Sequence, residues 1–143
     1  MEPAAPGSPR VLELFRFHDP RHAVSALVTV PDTPGAPAVA AELVVESAFV
    51  SGRVGLSLTG ADLADWELRL ADLEALRAVQ WPPAEQGAWL SVVPDAPFLI
   101  TVYDAGRVPV EVRVPVDPAG RQWQEENRAA LDRVRRAWEE AGG

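Results

Sequence analysis

The 143-residue chain is 48% hydrophobic and 24% charged, with no cysteine and a formal net charge of −8. A chain of this length makes one domain and removes about two-thirds of its unfolded surface from water. The missing cysteines exclude disulfides and thiolate metal sites. The acidic balance argues against a phosphate-backbone binder, which needs a basic footprint.

All 13 basic residues are arginine. An acidic domain of this kind complements a basic protein partner, and no nucleic acid or membrane partner is expected. No run of about 18 apolar residues occurs, so no transmembrane helix is predicted. The stretch MEPAAPGSP at the start lacks a basic and an apolar region, so it reads as a flexible tail over residues 1–10 and not as a signal peptide. Residues 11–141 read as a single α+β domain, and cytoplasmic residence is expected.

Val11–Phe17 and His22–Val30 are strand-like, joined by a turn containing Asp19 and Pro20. In the second, Val24, Ala26, Val28 and Val30 alternate with Ala23, Ser25, Leu27 and Thr29. PDTPGAP at 31–37 is a loop by composition. Val39–Phe49 reads as a third strand, with Leu43 and Val45 on one face and Glu42, Val44 and Glu46 on the other. A fourth alternates Val54, Leu56 and Leu58 with Arg53, Gly55 and Ser57. Thr59 then caps a helix, with Asp62 as the reciprocal partner of a capping box. Leu63, Trp66, Leu70 and Leu73 fall within roughly an 80° arc of it, and Pro82–Pro83 forbids its continuation much past Val79.

Three further strands are predicted at Ala88–Val93, Phe98–Asp104 and Val108–Val116, the last two joined by the turn Asp104-Ala105-Gly106-Arg107. Along the last strand the valines at 108, 110, 112, 114 and 116 point one way. Pro109, Glu111, Arg113 and Pro115 point the other, and the prolines suit an unpaired edge. A second helix over Arg121–Ala141 follows Asp117-Pro118-Ala119-Gly120, with Trp123, Asn127, Ala130, Leu131, Val134, Ala137 and Trp138 sharing roughly a 120° face. No internal repeat stands out. The expected fold is an antiparallel sheet of about six to seven strands with two helices packed on one face, in the order βββ(β)αβββα.

Chemistry-bearing clusters are sparse. His18, Asp19 and His22 form H-D-x-x-H in the first turn, a spacing that can present two imidazoles and a carboxylate to a metal or substrate. No third distant ligand is evident, and polar hairpin turns are common without such a role. No catalytic set, metal site or cofactor is therefore assigned. Ser51-Gly52 is not a nucleophile elbow, and Gly52, Gly55 and Gly60 make no phosphate loop or dinucleotide fingerprint. Asp65 and Asp72 on the polar face of the first helix are candidate contacts for a basic partner, weighed against a plain solvated face. Trp81, following that helix, is a candidate hot spot if exposed, weighed against the favoured reading of core packing, and Glu111 and Arg113 mark an open sheet face. Asn127 is the odd polar residue on its helix face, where a hydrogen bond to a loop backbone is the expectation.

Phe49-x-Ser51-Gly52, Leu58 and Asp62-Leu63-x-x-Trp66, then the valine-rich strand and the Trp-bearing last helix, resemble a family of small domains of unknown function from high-GC bacteria. The resemblance covers most of residues 11–140. More distantly, the Asp-Leu helix start and the valine-rich strand after Asp104-Ala105-Gly106 are similar to the WapI-type immunity proteins. That likeness implies binding and blocking of a cognate toxin without catalysis. The chain departs from it at Asp117-Pro118-Ala119-Gly120 and Trp123. Neither group supplies catalytic residues. The expected function is a non-catalytic protein-binding domain, of the immunity or accessory-subunit kind. The alternative is a small-molecule-binding or enzymatic domain with a pocket between sheet and helices.

Overall fold

The computed structural model describes residues 10–31, 37–48, 50–83, 87–104, 110–118, 120 and 122–142. Residues 1–9 of the expected 1–10 tail, most of the 31–37 loop, Phe49, residues 105–109 of the last hairpin, Ala119 and Arg121 lie outside them, whereas Arg10 of that tail opens the first strand. In chain order the elements are β1 (Arg10–His18), β2 (His22–Val30), β3 (Ala38–Ser47), β4 (Ser51–Thr59) and α1 (Gly60–Glu74). Then come β5 (Val79–Trp81), β6 (Trp89–Val93), β7 (Phe98–Asp104), β8 (Val110–Val116) and α2 (Gln122–Gly142).

The expected single sheet is corrected to two. Strands β1-β2-β3-β4 and β5-β6-β7-β8 form separate four-stranded antiparallel sheets, each a meander followed by one helix. The element order ββββα thus occurs twice, a repeat of topology without a visible repeat of sequence. The helices also depart from the expected placement on one face of one sheet. Helix α1 packs against β5 and α2 runs along β1, so each helix flanks the first strand of the other half. They lie antiparallel to one another, clipped by Arg128 to Glu74 and Arg135 to Glu67.

The capping box forms as expected: the Asp62 N–H donates to Thr59 Oγ1 and the Thr59 N–H to Asp62 Oδ2. The other end of α1 comes earlier than Val79. Leu76 sits at φ 59, its N–H donates to the Leu73 carbonyl, and the Arg77 N–H reaches back to the Asp72 carbonyl at 2.8 Å. This pair of bonds is a Schellman closure, which turns the chain out of the helix with a left-handed residue just past the C-cap. The released Val79–Trp81 becomes β5 and pairs with β6.

Strand β1 carries a bulge between Glu13 and Phe15, so that Leu14 and Phe15, adjacent in sequence, are both fully buried. Two aromatic clusters grow from this strand. Phe15 lies 4.4 Å from the Trp66 ring of α1 and 5.9 Å from Trp81 of β5, with the two indoles 5.4 Å apart. Phe17 lies 5.8 Å from Trp123 of α2 and 6.2 Å from Phe98 of β7. Each cluster therefore fastens a helix to both sheets. Between them, Asn127 Oδ1 accepts the Arg16 N–H at 2.8 Å, supplying the edge of β1 with a partner from α2.

Two stability measurements follow from these details. A left-handed conformation costs a side-chain-bearing residue about 1–2 kcal/mol, and Leu76 is well exposed. Leu76→Gly is thus expected to raise the unfolding free energy by about 1 kcal/mol in urea titration. A loss of stability would show that the Leu76 side chain contributes packing. The second concerns the indoles. Trp81 Nε1 donates to the Asp62 carbonyl at 2.9 Å, whereas Trp66 Nε1 is buried without a protein acceptor. Trp81→Phe should therefore cost about 1 kcal/mol more than Trp66→Phe, the net worth of one hydrogen bond.

Candidate binding cleft at the start of the second helix

The first turn is built around a single carboxylate. Asp19 Oδ1 accepts the N–H groups of Arg21 and His22, each at 2.8 Å, which closes the β1–β2 hairpin as an Asx turn. Its other oxygen, Oδ2, accepts the Asp117 N–H at 2.9 Å. Asp19 thus ties the first hairpin to the segment leading from β8 into α2. Burial pushes this carboxyl up, but the backbone N–H groups of Asp117, Arg21 and His22 outweigh it and hold Asp19 below its ordinary range.

The two imidazoles turn to different neighbours. His18 Nε2 lies 3.6 Å from Glu126 Oε2 on α2, and His22 Nδ1 lies 3.4 Å from Asp19 Oδ1. Among the described residues no group of three or more His, Cys, Asp or Glu side chains is placed to hold a metal. Within the H-D-x-x-H stretch the central Asp is a structural fastening, through the three backbone N–H groups it accepts.

That fastening shapes a cleft. One hollow of ≈ 310 Å³ is lined by His18, Asp19, Asp117, Gln122, Trp123 and Glu126. A second of ≈ 450 Å³ shares Asp117, Pro118 and Trp123 and adds Glu74, Asp95, Phe98 and Gln124. Carboxylates thus converge on one mostly buried indole. Glu74 is neutralised by Arg128, with bonds of 2.6 and 3.1 Å, but Asp95 and Asp117 have no cationic partner among the described residues. Sequence reasoning named Asp19 and Trp123 but did not bring them together. Asp95 was not singled out and Asp117 was read only as part of a turn, because nothing local shows that 98 residues of chain separate the partners of one hydrogen bond.

The residues singled out from sequence lie elsewhere. Asp65 and Asp72 are both engaged by Arg69, at 3.6 and 3.1 Å, and Asp72 also by Arg77, so the polar face of α1 is largely self-neutralised. Trp81 is fully buried, which removes it as a surface hot spot; it serves the core. Glu111 and Arg113 are exposed and paired with each other at 2.8 Å. They lie on the outer face of the second sheet, where Trp89 and Tyr103 stack at 3.7 Å. The five residues therefore fall on three separate regions and form no common site.

The lowered pKa of Asp19 has a pH consequence. A carboxylate whose folded pKa is below its unfolded value contributes stability above the unfolded value, and the contribution fades as pH falls through the folded one. Wild type should thus lose stability on acidification below about pH 4. Asp19→Ala should be less stable by about 2 kcal/mol at pH 7 and show a flatter decline into acid. Urea midpoints for both proteins between about pH 7 and 2.5 measure this, and parallel profiles would refute it.

No curated protein and no solved structure matches the chain. Among the described residues no helix is long and apolar enough to cross a membrane. A family model does match, over residues 12–139, and takes in both meanders, both helices and the whole cleft. The chain belongs to the family of unknown function DUF5959.

Proposed function

We propose that the chain is a non-catalytic protein-binding domain whose partner is basic, and that the carboxylate-lined cleft around Trp123 is the contact. The observation that carries this is the placement of Asp95 and Asp117, without cations of their own among the described residues, on two adjoining hollows that share Asp117 and Trp123, the first lined also by Asp19 and Glu126 and the second by Asp95. Uncompensated negative charge beside the buried Trp123 suits an arginine or lysine side chain of a partner, which gains Coulomb attraction there. The net charge of −8 speeds encounter with such a partner at low salt. A toxin-neutralising role of the immunity-protein kind in a high-GC bacterium is the finer form of this reading. It draws on the Asp62-Leu63 helix start and the valine-rich β8.

The competing reading is a small-molecule or catalytic pocket in the same place. Hollows of 310 and 450 Å³ have the size for it. Small-molecule sites are mainly apolar with a few polar groups, which the hollow beside Asp19 resembles, whereas the one beside Asp95 is lined mainly by polar atoms. The histidines that would serve catalysis are each turned to a separate carboxylate.

The test is capture from the native host with immobilised wild type beside Asp95→Lys/Asp117→Lys, starting with the products of neighbouring genes. A basic protein should be retained by wild type, released by raising salt, and bound about tenfold or more weakly by the variant. A partner held equally by both proteins would place the contact elsewhere. Absence of any partner tighter than about 10 μM would end the binding reading.

A further inference from the structure

A four-stranded meander leaves two strand edges, so the two sheets together present four. Rows of unpaired N–H and C=O groups on such edges attract further strands, and proteins usually cover, shorten or blunt them. Three of the four are treated in this way. The β1 edge is flanked by α2, with Asn127 accepting the Arg16 N–H. The β5 edge is three residues long and flanked by α1. The β8 edge contains Pro115, which has no N–H to offer.

The β4 edge is different. It runs nine residues without proline, pairs with β3 in unbroken register, and has no described strand along its outer side, α1 meeting it where the chain passes from one into the other. A Cβ built at Gly52 or Gly55 would meet nothing within 4 Å. The only charge on the strand is Arg53, already paired with Glu42 at 3.1 Å, and none of the acidic residues is there. Two copies of a chain carrying −8 would repel least along this line, while a basic partner would find no negative charge on it.

We infer that β4 is a dimerisation edge, pairing antiparallel with β4 of a second copy across a two-fold axis at Gly55. About that residue two of the four opposed pairs match in kind, Val54 with Leu56 and Ser51 with Thr59. Val54 would face Leu56 of the other copy on the core side, and the small Gly52 would leave room for the other Leu58. Ser51 would meet Thr59, and Arg53 would meet Ser57 on the outer side. Such a pairing is self-complementary, as a two-fold interface requires, and it joins two four-stranded sheets into one of eight. Alternate residues of each strand supply hydrogen bonds across the seam. One strand pair is a small interface, so the dimer is a weak one, filling at tens of micromolar and above.

The absence of cysteine from the chain makes the register directly measurable. Directly opposed residues in an antiparallel pair have Cα atoms about 4.5–5.5 Å apart, inside the range a disulfide spans. Gly55→Cys should form an intermolecular disulfide under mild oxidation, at least about tenfold faster than Ser51→Cys. In the latter variant the two thiols would lie roughly 27 Å apart. Sedimentation of wild type should move from the 15.4 kDa chain toward twice that mass with rising concentration. Gly55→Lys, which sets two ammonium groups face to face on the outer side, should abolish that shift without changing the circular dichroism of the monomer. A wild type still monomeric at about 500 μM overturns the inference. So does a dimer that survives Gly55→Lys, or equal cross-linking of the two cysteine variants.

Discussion

Three consecutive residues of β1 hold the molecule together. Phe15 reaches into the indole pair of α1 and β5, the Arg16 N–H is taken by Asn127 of α2, and Phe17 reaches Trp123 of α2 and Phe98 of β7. In an ordinary strand the two rings would share one face and the edge amide between them would meet water. The Glu13–Phe15 bulge and the crossed helices give all three a protein partner instead. Ring contacts of this kind add about 0.5–1.5 kcal/mol beyond their buried area, but their placement matters more than their sum. Each cluster contains a residue from both sheets and a helix. Neither half could complete its own core, because the helix it needs is supplied by the other.

The same crossing explains why the acidic cleft exists. Helix α2 must travel from the end of β8 to lie along β1, and its first turn therefore arrives beside the β1–β2 hairpin. Asp19 fixes that arrival by accepting the Asp117 N–H. A carboxylate is suited to this because it can accept several N–H bonds at once, two from its own turn and one from far along the chain. The result gathers Asp19, Asp117 and Glu126 at one end of the molecule and holds one of them reliably ionised at neutral pH. On the helices several acids are matched: Glu67 and Glu74 by arginines of α2, Asp65 and Asp72 by arginines of α1 and its end.

Periodicity made most strands and both helices readable, because a face that is buried and a face that is wet leave a period in the residues. Thr59 and Asp62 announced the start of α1 through side-chain chemistry confined to four residues. Asn127 stood out as polar on an apolar stripe, and its bond to backbone is the one expected in kind, though to a strand rather than a loop. Three things were illegible for definable reasons. Val79–Trp81 is too short to show a period, and it follows a helix closed by Leu76, a residue that does not advertise a left-handed turn. The bulge at Leu14 looks from sequence like one more apolar residue. The division into two sheets depends on which edges meet, and strands with one apolar face read alike whether they join one sheet or two. Trp81 illustrates the cost: an aromatic beside Pro82 looked like a surface candidate only while the strand that buries it was unseen.

Sheet order separates the two surfaces the structure offers. Strand β1, which carries the cleft end through His18 and the Asp19 turn, is three strands away from β4, roughly 14 Å across the hydrogen-bonding direction. The cleft concentrates carboxylates that lack cations among the described residues, whereas β4 carries none. Charge is therefore segregated on one chain, so that the surface suited to a basic partner is poorly suited to a second copy, and the reverse. Pairing through β4 would leave both clefts open on the far sides of the joined sheet. A partner with two basic segments could then engage both at once, and the second contact would benefit from an effective concentration that no single chain provides.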